Sequence, residues 1–208
     1  MTRRGAVGLL GAFGVGVVML ATGARAGAEP PPGSAERGRV TFTAKACARC
    51  HVPRTQAGVG PALETLRRPQ GVFELAGRLW NHAPAMFTVL SQEGLPWPRI
   101  GVGEMADLMA YLEADVMLDP TPDLFKGQLA LIRKGCLKCH RLRGEGARIA
   151  PDLATQHASY ESAVAWATRM WEHTPAMAAK AMEVGVLYPR FTEDEMLNLV
   201  GFLRSSAR

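Results

Sequence analysis

The chain has 208 residues, of which 48% are hydrophobic and 21% charged, with a formal net charge of +5. This is an ordinary globular balance with room for one large or two small domains. Arg3, Arg4 and Arg25 lie in an N-terminal segment with no acid, and without them 21 basic residues face 19 acidic ones. So small an excess gives no support for a nucleic-acid partner.

Arg3 and Arg4 precede an uncharged, Gly/Ala/Val/Leu-rich stretch from Gly5 to Ala24, and Ala24-Arg25-Ala26 is a small-x-small cleavage pattern. Residues 1–26 read as a secretory signal peptide cut after Ala26, which directs the chain to the periplasm. The stretch is long enough to raise a retained membrane anchor, although its glycines make a poor spanning helix. The paired arginines raise twin-arginine export.

Glu29 to Gly33 is a Pro-rich lead-in. A helix is expected from Ser34 to Ala46, a loop from Val52 to Gly60, and a helix from Gln70 to Trp80. Asn81 to Ala83 follow it, and Pro84 to Glu93 reads as a further short helix closed by Gly94. Leu95 to Gly103 reads as extended, and Glu104 to Ala114 as an amphipathic helix. After a linker at 119–122, Thr121 is expected to cap a helix with Pro122 at its first position. The order then repeats: helix Asp123 to Lys134, loop, helix Ser159 to Trp171, a short helix to Val184, and a last helix from Glu193 to Arg204. Thr192 and Glu195 suggest a capping box for the last helix.

All four cysteines fall in two copies of one pattern, Cys47-Ala48-Arg49-Cys50-His51 and Cys136-Leu137-Lys138-Cys139-His140. C-x-x-C-H is the attachment pattern of c-type haem. Two intervening residues put both sulfurs on one side of a helical turn, within reach of the two vinyl groups, and the next residue offers an imidazole to the iron. A dithiol redox pair or half of a four-thiolate zinc site would also use C-x-x-C. Neither needs His after the second Cys, nor the second copy. Covalent attachment of haem outside the cytoplasm suits export of an unfolded chain.

The repeat extends well beyond the motifs. Cys47 matches Cys136 at an offset of 89, and Pro61 matches Pro151 at 90. Trp80, His82, Pro84, Met86, Pro98, Glu104, Met105, Tyr111 and Leu112 match Trp171, His173, Pro175, Met177, Pro189, Glu195, Met196, Phe202 and Leu203 at 91. Two single-residue insertions account for the drift. A period this long is a duplicated domain rather than a solenoid unit. A copy of about 85–90 residues has a small core that a covalent haem can complete.

Each copy resembles a class I cytochrome c, and the pair resembles two-domain diheme cytochromes such as the cytochrome c4 group. The resemblance implies an all-α fold of two tandem cytochrome c-like domains, residues 33–117 and 120–208, each a small helical bundle around one covalent haem c. It implies that an N-terminal helix crosses a C-terminal helix through Gly38 and Phe42 against Tyr111, and through Gly127 and Leu131 against Phe202. It also implies that Pro61-Ala62-Leu63 and Pro151-Asp152-Leu153 supply a carbonyl near each proximal histidine, His51 and His140, fixing its tautomer.

The family's Met-Pro loop before the last helix is absent, since Leu95-Pro96 and Val186-Leu187 stand there. The repeated W-x-H-x-P-x-M must therefore supply any sixth ligand. Met86 and Met177 are the first choice, as soft ligands that favour Fe(II); His82 and His173 are the alternative, and an open position is the third. Trp80 and Trp171, with Pro61 and Pro151, are expected to pack on haem. Met105, Met109, Met170, Met182 and Met196 are expected to be core. Arg133, Lys134, Lys138, Arg141, Arg143 and Arg148 cluster near the second motif, as a solvated face or a surface that steers an acidic redox partner.

The expected function is single-electron transfer between unidentified protein donors and acceptors, without enzyme activity. The alternatives are a haem subunit of an oxidoreductase or a diheme peroxidase-like enzyme, for which His82 or His173 could act as acid or base at an open iron. A sensor would need an output domain, and the sequence offers none.

Overall fold

The computed structural model describes residues 32–207; the signal segment expected at 1–26 lies outside them. The described part is mainly helical, with α1 (Ala35–Ala44), α2 (Leu63–Leu66), α3 (Val72–Gln92), α4 (Val102–Tyr111), α5 (Leu124–Arg133), α6 (Ala163–Glu183) and α7 (Glu195–Ser206). A two-stranded hairpin, β1 (Arg141–Leu142) with β2 (Glu145–Gly146), follows the second C-x-x-C-H motif and was not expected. Among the described residues no helix is long and apolar enough to cross a membrane.

Two helix crossings anchor the molecule, α1 on α4 and α5 on α7. A glycine sets each one. A Cβ at Gly38 would lie 2.0 Å from the Asp107 carbonyl oxygen, and one at Gly127 would lie 2.0 Å from that of Asn198. The backbones touch there, so no side chain fits between them. Phe42 then meets Tyr111 with ring centroids 5.5 Å apart, and Leu131 is buried on the equivalent face of α5. Lys45 pairs with Glu104 at 2.8 Å, and Lys134 with Glu195 at 2.6 Å, in the same places of the two crossings.

Helix α4 begins at Val102 and α6 at Ala163, rather than at the expected Glu104 and Ser159, and two caps depart from expectation. Asp123 rather than Thr121 caps α5, because its carboxylate accepts from the Lys126 N–H. In α7 only half of the box forms: Glu195 accepts from the Thr192 N–H, while the Thr192 hydroxyl donates to Glu195 and caps no backbone group.

The larger correction concerns Pro84 and Pro175, which lie inside the 21-residue helices α3 and α6 and do not interrupt them. A proline removes the N–H that would bond the carbonyl four residues earlier. Those carbonyls belong to Trp80 and Trp171. Each finds a partner from the other half of the chain: Tyr188 Oη donates to Trp80 O at 3.5 Å, and Trp97 Nε1 donates to Trp171 O at 3.1 Å. The freed acceptors are satisfied by tertiary contact, so the helices continue.

Helices α3 and α6 pack against each other and join the two halves. The extended segments after them cross over. Trp80 Nε1 donates to Pro189 O at 2.6 Å, and Trp171 Nε1 donates to Pro98 O at 2.8 Å. Trp80 stacks on Tyr188 at 4.6 Å and Trp171 on Trp97 at 4.3 Å. The arrangement is reciprocal, since 97 and 188 are equivalent positions of the repeat.

Of the methionines expected in the core, Met105, Met109 and Met196 are buried and Met170 packs against the core. Met182 is 77% exposed, because it follows the last inward turn of α6.

Candidate functional site

Each C-x-x-C-H forms a single tight turn at the end of the preceding helix. Cys47–Arg49 and Cys136–Lys138 are 3₁₀ turns entered through a left-handed residue, Ala46 (φ 64°) and Gly135 (φ 71°). The His51 N–H donates to Cys47 O at 3.0 Å, and the His140 N–H to Cys136 O at 2.9 Å. The turn brings both sulfurs and the imidazole to one region, as the spacing requires. Burial pushes the Cys47 and Cys136 thiols up to about 11. A redox-active cysteine needs the opposite shift, toward thiolate. Among the described residues no three His, Cys, Asp or Glu side chains come together as a ligand set for a metal ion, which leaves no four-thiolate site.

Both motif histidines are held from behind. His51 Nδ1 lies 3.0 Å from Pro61 O, and His140 Nδ1 lies 2.9 Å from Pro151 O. A carbonyl at that distance selects the tautomer with the proton on Nδ1 and leaves Nε2 as a basic ligand.

In front of each motif lies an apolar cavity. In the C-terminal half a space of about 740 Å³ is lined by Cys136, His140, Trp166, Met170, His173 and Met177, among others. In the N-terminal half a space of about 790 Å³ is lined by Cys47, His51, Leu79, His82, Met86 and Met105, among others. Each opens into a second lobe that reaches the same Cys, His and Met residues and includes Cys50 or Cys139. The histidine and methionine of each W-x-H-x-P-x-M stand one helical turn apart and share a helix face. The structure brings all four, His82, Met86, His173 and Met177, to the cavities that hold the motif histidines. His82 Nδ1 lies 3.2 Å from Arg78 O. Burial, with the Arg169 charge adding to it, holds His173 below the ordinary imidazole value.

The structure also brings in residues the sequence reading passed over. Arg78 and Arg169 line the two cavities and sit at equivalent positions, two residues before the tryptophans. Extending the repeated pattern to R-x-W-x-H-x-P-x-M would have found them. Arg78 also donates to Gln70 Oε1 and Thr65 O, and burial lowers its pKa. A guanidinium in an otherwise apolar cavity is suited to a carboxylate.

Pro61 and Pro151 each line a cavity in their own half. Trp80 and Trp171 do not: Trp80 lines the C-terminal cavity and Trp171 the N-terminal one. Their indole N–H groups are taken by Pro189 and Pro98, so only the ring faces are on offer.

The expected basic cluster near the second motif is partly committed to structure. Lys134 is paired with Glu195, and Arg143 Nε donates to Ser206 O at 2.9 Å. Arg141 Nε is buried without a partner among the described residues.

The donor set fits a covalent haem twice over: two thiols, a tautomer-fixed imidazole, an apolar slot and an opposing His/Met pair. No curated protein and no solved structure gives a match to the chain. Residues 126–207 match the family model described as Cytochrome c, and this match supports reading the chain as a c-type cytochrome, with haem-based electron transfer as the activity such a domain suggests.

Proposed function

We propose that the protein is a periplasmic diheme c-type cytochrome that passes single electrons between redox proteins. It would be built of two cytochrome c-like domains, residues 33–117 and 120–208. The observation that carries this reading is the doubled site, in which a C-x-x-C-H turn with its histidine braced by a prolyl carbonyl faces an apolar cavity in each half. Cys47 and Cys50, and Cys136 and Cys139, would form the thioethers. Bound haem c supplies an iron that accepts and releases one electron.

The rest of the work belongs to the chain. His51 and His140 bind the iron through Nε2, with Pro61 and Pro151 holding the imidazoles in place. Histidines braced by prolyl carbonyls and His/Met pairs fixed on long helices would hold a bound haem rigidly, which would keep reorganisation on electron transfer small. Met86 and Met177 are the sixth ligands in this reading, and His82 and His173 are the alternative donors one turn away on the same helices. Arg78 and Arg169 hold the cofactor's carboxylates and compensate their charge. Export through the segment at 1–26 places the chain where covalent attachment occurs.

The test is maturation of the full-length protein in a host that attaches haem c, followed by a pyridine haemochrome count. Two haems per chain are expected, both lost from denatured Cys47→Ala/Cys50→Ala/Cys136→Ala/Cys139→Ala protein. Met ligation gives a weak far-red band in the ferric protein that Met86→Ala and Met177→Ala each diminish. If the band is missing and both variants keep their low-spin spectra, His82 and His173 are the ligands. Rapid carbon monoxide binding by the reduced protein would show an open iron and move the reading toward a peroxidase-like enzyme.

A further inference from the structure

We infer that Trp80 and Trp171 act in the opposite half of the protein from the one that carries them: Trp171 positions and shields the cofactor held by Cys47, Cys50 and His51, and Trp80 does the same for the cofactor held by Cys136, Cys139 and His140. This rests on the diheme reading above.

The first support is helical geometry. Successive residues of an α-helix turn by about 100°, so residues two apart point in nearly opposite directions. In α3, His82 and Met86 share one face, and Trp80 lies on the other. The same holds for His173, Met177 and Trp171 in α6. Each helix therefore serves two cavities, with a His/Met face toward its own and an indole toward the other.

The second support is the lining itself. Trp171 borders both lobes of the N-terminal cavity, and Trp80 borders the main lobe of the C-terminal cavity. Both indoles are buried, at 4% and 6% exposure. Each is clamped by its N–H bond to Pro189 or Pro98 and by its stack on Tyr188 or Trp97. A clamped, buried ring is a rigid wall. It excludes water from one side of the slot, and the apolar shell around a metal controls its dielectric and hence its potential.

The pattern W-x-H-x-P-x-M thus has three separable jobs. The His/Met pair faces the near cofactor. The proline frees the tryptophan's carbonyl for Trp97 or Tyr188 of the other half. The tryptophan walls the far cofactor. A chain cut between the halves would leave each slot open on one side.

The experiment uses the full-length, haem-loaded protein. Haemochrome analysis counts the haems first: none would remove the diheme reading and this inference together, while a chain with a single haem still reports, because that haem meets one of the two indoles. In ferric protein carrying isotope-labelled tryptophan, nuclear Overhauser contacts are expected from the Trp171 ring to the haem bonded to Cys47 and Cys50, and from the Trp80 ring to the haem bonded to Cys136 and Cys139. Contacts of both rings with the haem of their own half overturn the inference and leave the diheme reading intact. In potentiometric titrations, Trp171→Leu admits water beside the N-terminal haem and should lower that midpoint potential alone. Trp80→Leu should lower only the other. Variants that move the same midpoint, or neither, also overturn it. The contacts measured in the unsubstituted protein decide the matter even where a Leu variant does not fold.

Discussion

In the N-terminal half the helix crossing is held by a charge, and in the C-terminal half by an amide. Asp107 accepts from the Ser34 N–H at 2.7 Å and from Arg37 through Nε at 2.9 Å and Nη2 at 2.7 Å. At the equivalent place Asn198 Oδ1 accepts from the Asp123 N–H at 2.7 Å, and Asp123 in turn caps α5. The Ala46 and Gly135 positions share one left-handed conformation but differ in side chain. Asn81 bonds the Phe191 backbone twice across the interface, whereas its counterpart Glu172 has no donor and instead lies 3.8 Å from Arg169. The lesson is that the frame depends on a few geometric positions, and the remaining positions are free to change chemistry. The family match covers residues 126–207, yet the same glycine contact and braced histidine occur before residue 118, beside a similar cavity that Trp171 also lines.

The crossing glycines should give the largest effects and should be equal. Gly38→Ala and Gly127→Ala each force two touching backbones apart, at a cost of roughly 3 kcal/mol or more. Chemical denaturation of the loaded protein would measure it. A markedly smaller loss at one position would mean that the two crossings are not equivalent.

Next comes the charge that only the first crossing has. Arg37 beside Asp107 holds that carboxyl below the usual carboxylate range. The stabilisation is present above the unfolded-state value of about 4 and is lost as pH falls through the folded-state value. Asp107→Asn should therefore cost about 1–2 kcal/mol at neutral pH, discounted because Arg37 is exposed. The gap between the two proteins should close on acidification. Asn198→Ala should cost a similar amount with no such closing, and stability measured from pH 3 to 7 separates the two.

The interface offers a smaller contrast. Trp97→Phe leaves the Trp171 carbonyl without its 3.1 Å donor and should cost about 1 kcal/mol. Tyr188→Phe removes a contact at 3.5 Å and should cost only a few tenths. Thermal unfolding of both variants would rank them, and the reverse order would break the account of the proline-freed carbonyls.

A small gain in one half and a loss in the other are expected at the entrance to the motif turns. Ala46 carries a Cβ in left-handed backbone, which costs about 1–2 kcal/mol, partly offset by the entropy a glycine loses on folding. Ala46→Gly should stabilise by about 0.5 kcal/mol, and Gly135→Ala should destabilise by a similar or larger amount.

Much of the local structure was legible because it depends on spacing. The C-x-x-C-H turns and half of the capping box at Glu195 arise within short stretches, whereas the braced histidines and the glycine crossings were expected only from the resemblance to class I cytochromes c. Sequence reasoning failed where a long-range partner reversed a local rule. Pro84 and Pro175 signal breaks, and the breaks do not occur because Tyr188 and Trp97 reach the carbonyls those prolines leave free. Arg78 and Arg169 were hidden because an arginine on a helix ordinarily faces water, and only the cavity shows otherwise.

The sequence by itself determined the two C-x-x-C-H patterns and the offsets of 89 to 91 that relate them, since two thiols and an imidazole at fixed spacing are a local feature of the chain. The tertiary structure alone decided which cavity each tryptophan lines. A ring's direction on a helix can be read from periodicity, but the cavity it meets depends on how α3 and α6 pack and on the crossing segments, where Trp80 bonds Pro189 more than a hundred positions away in the chain.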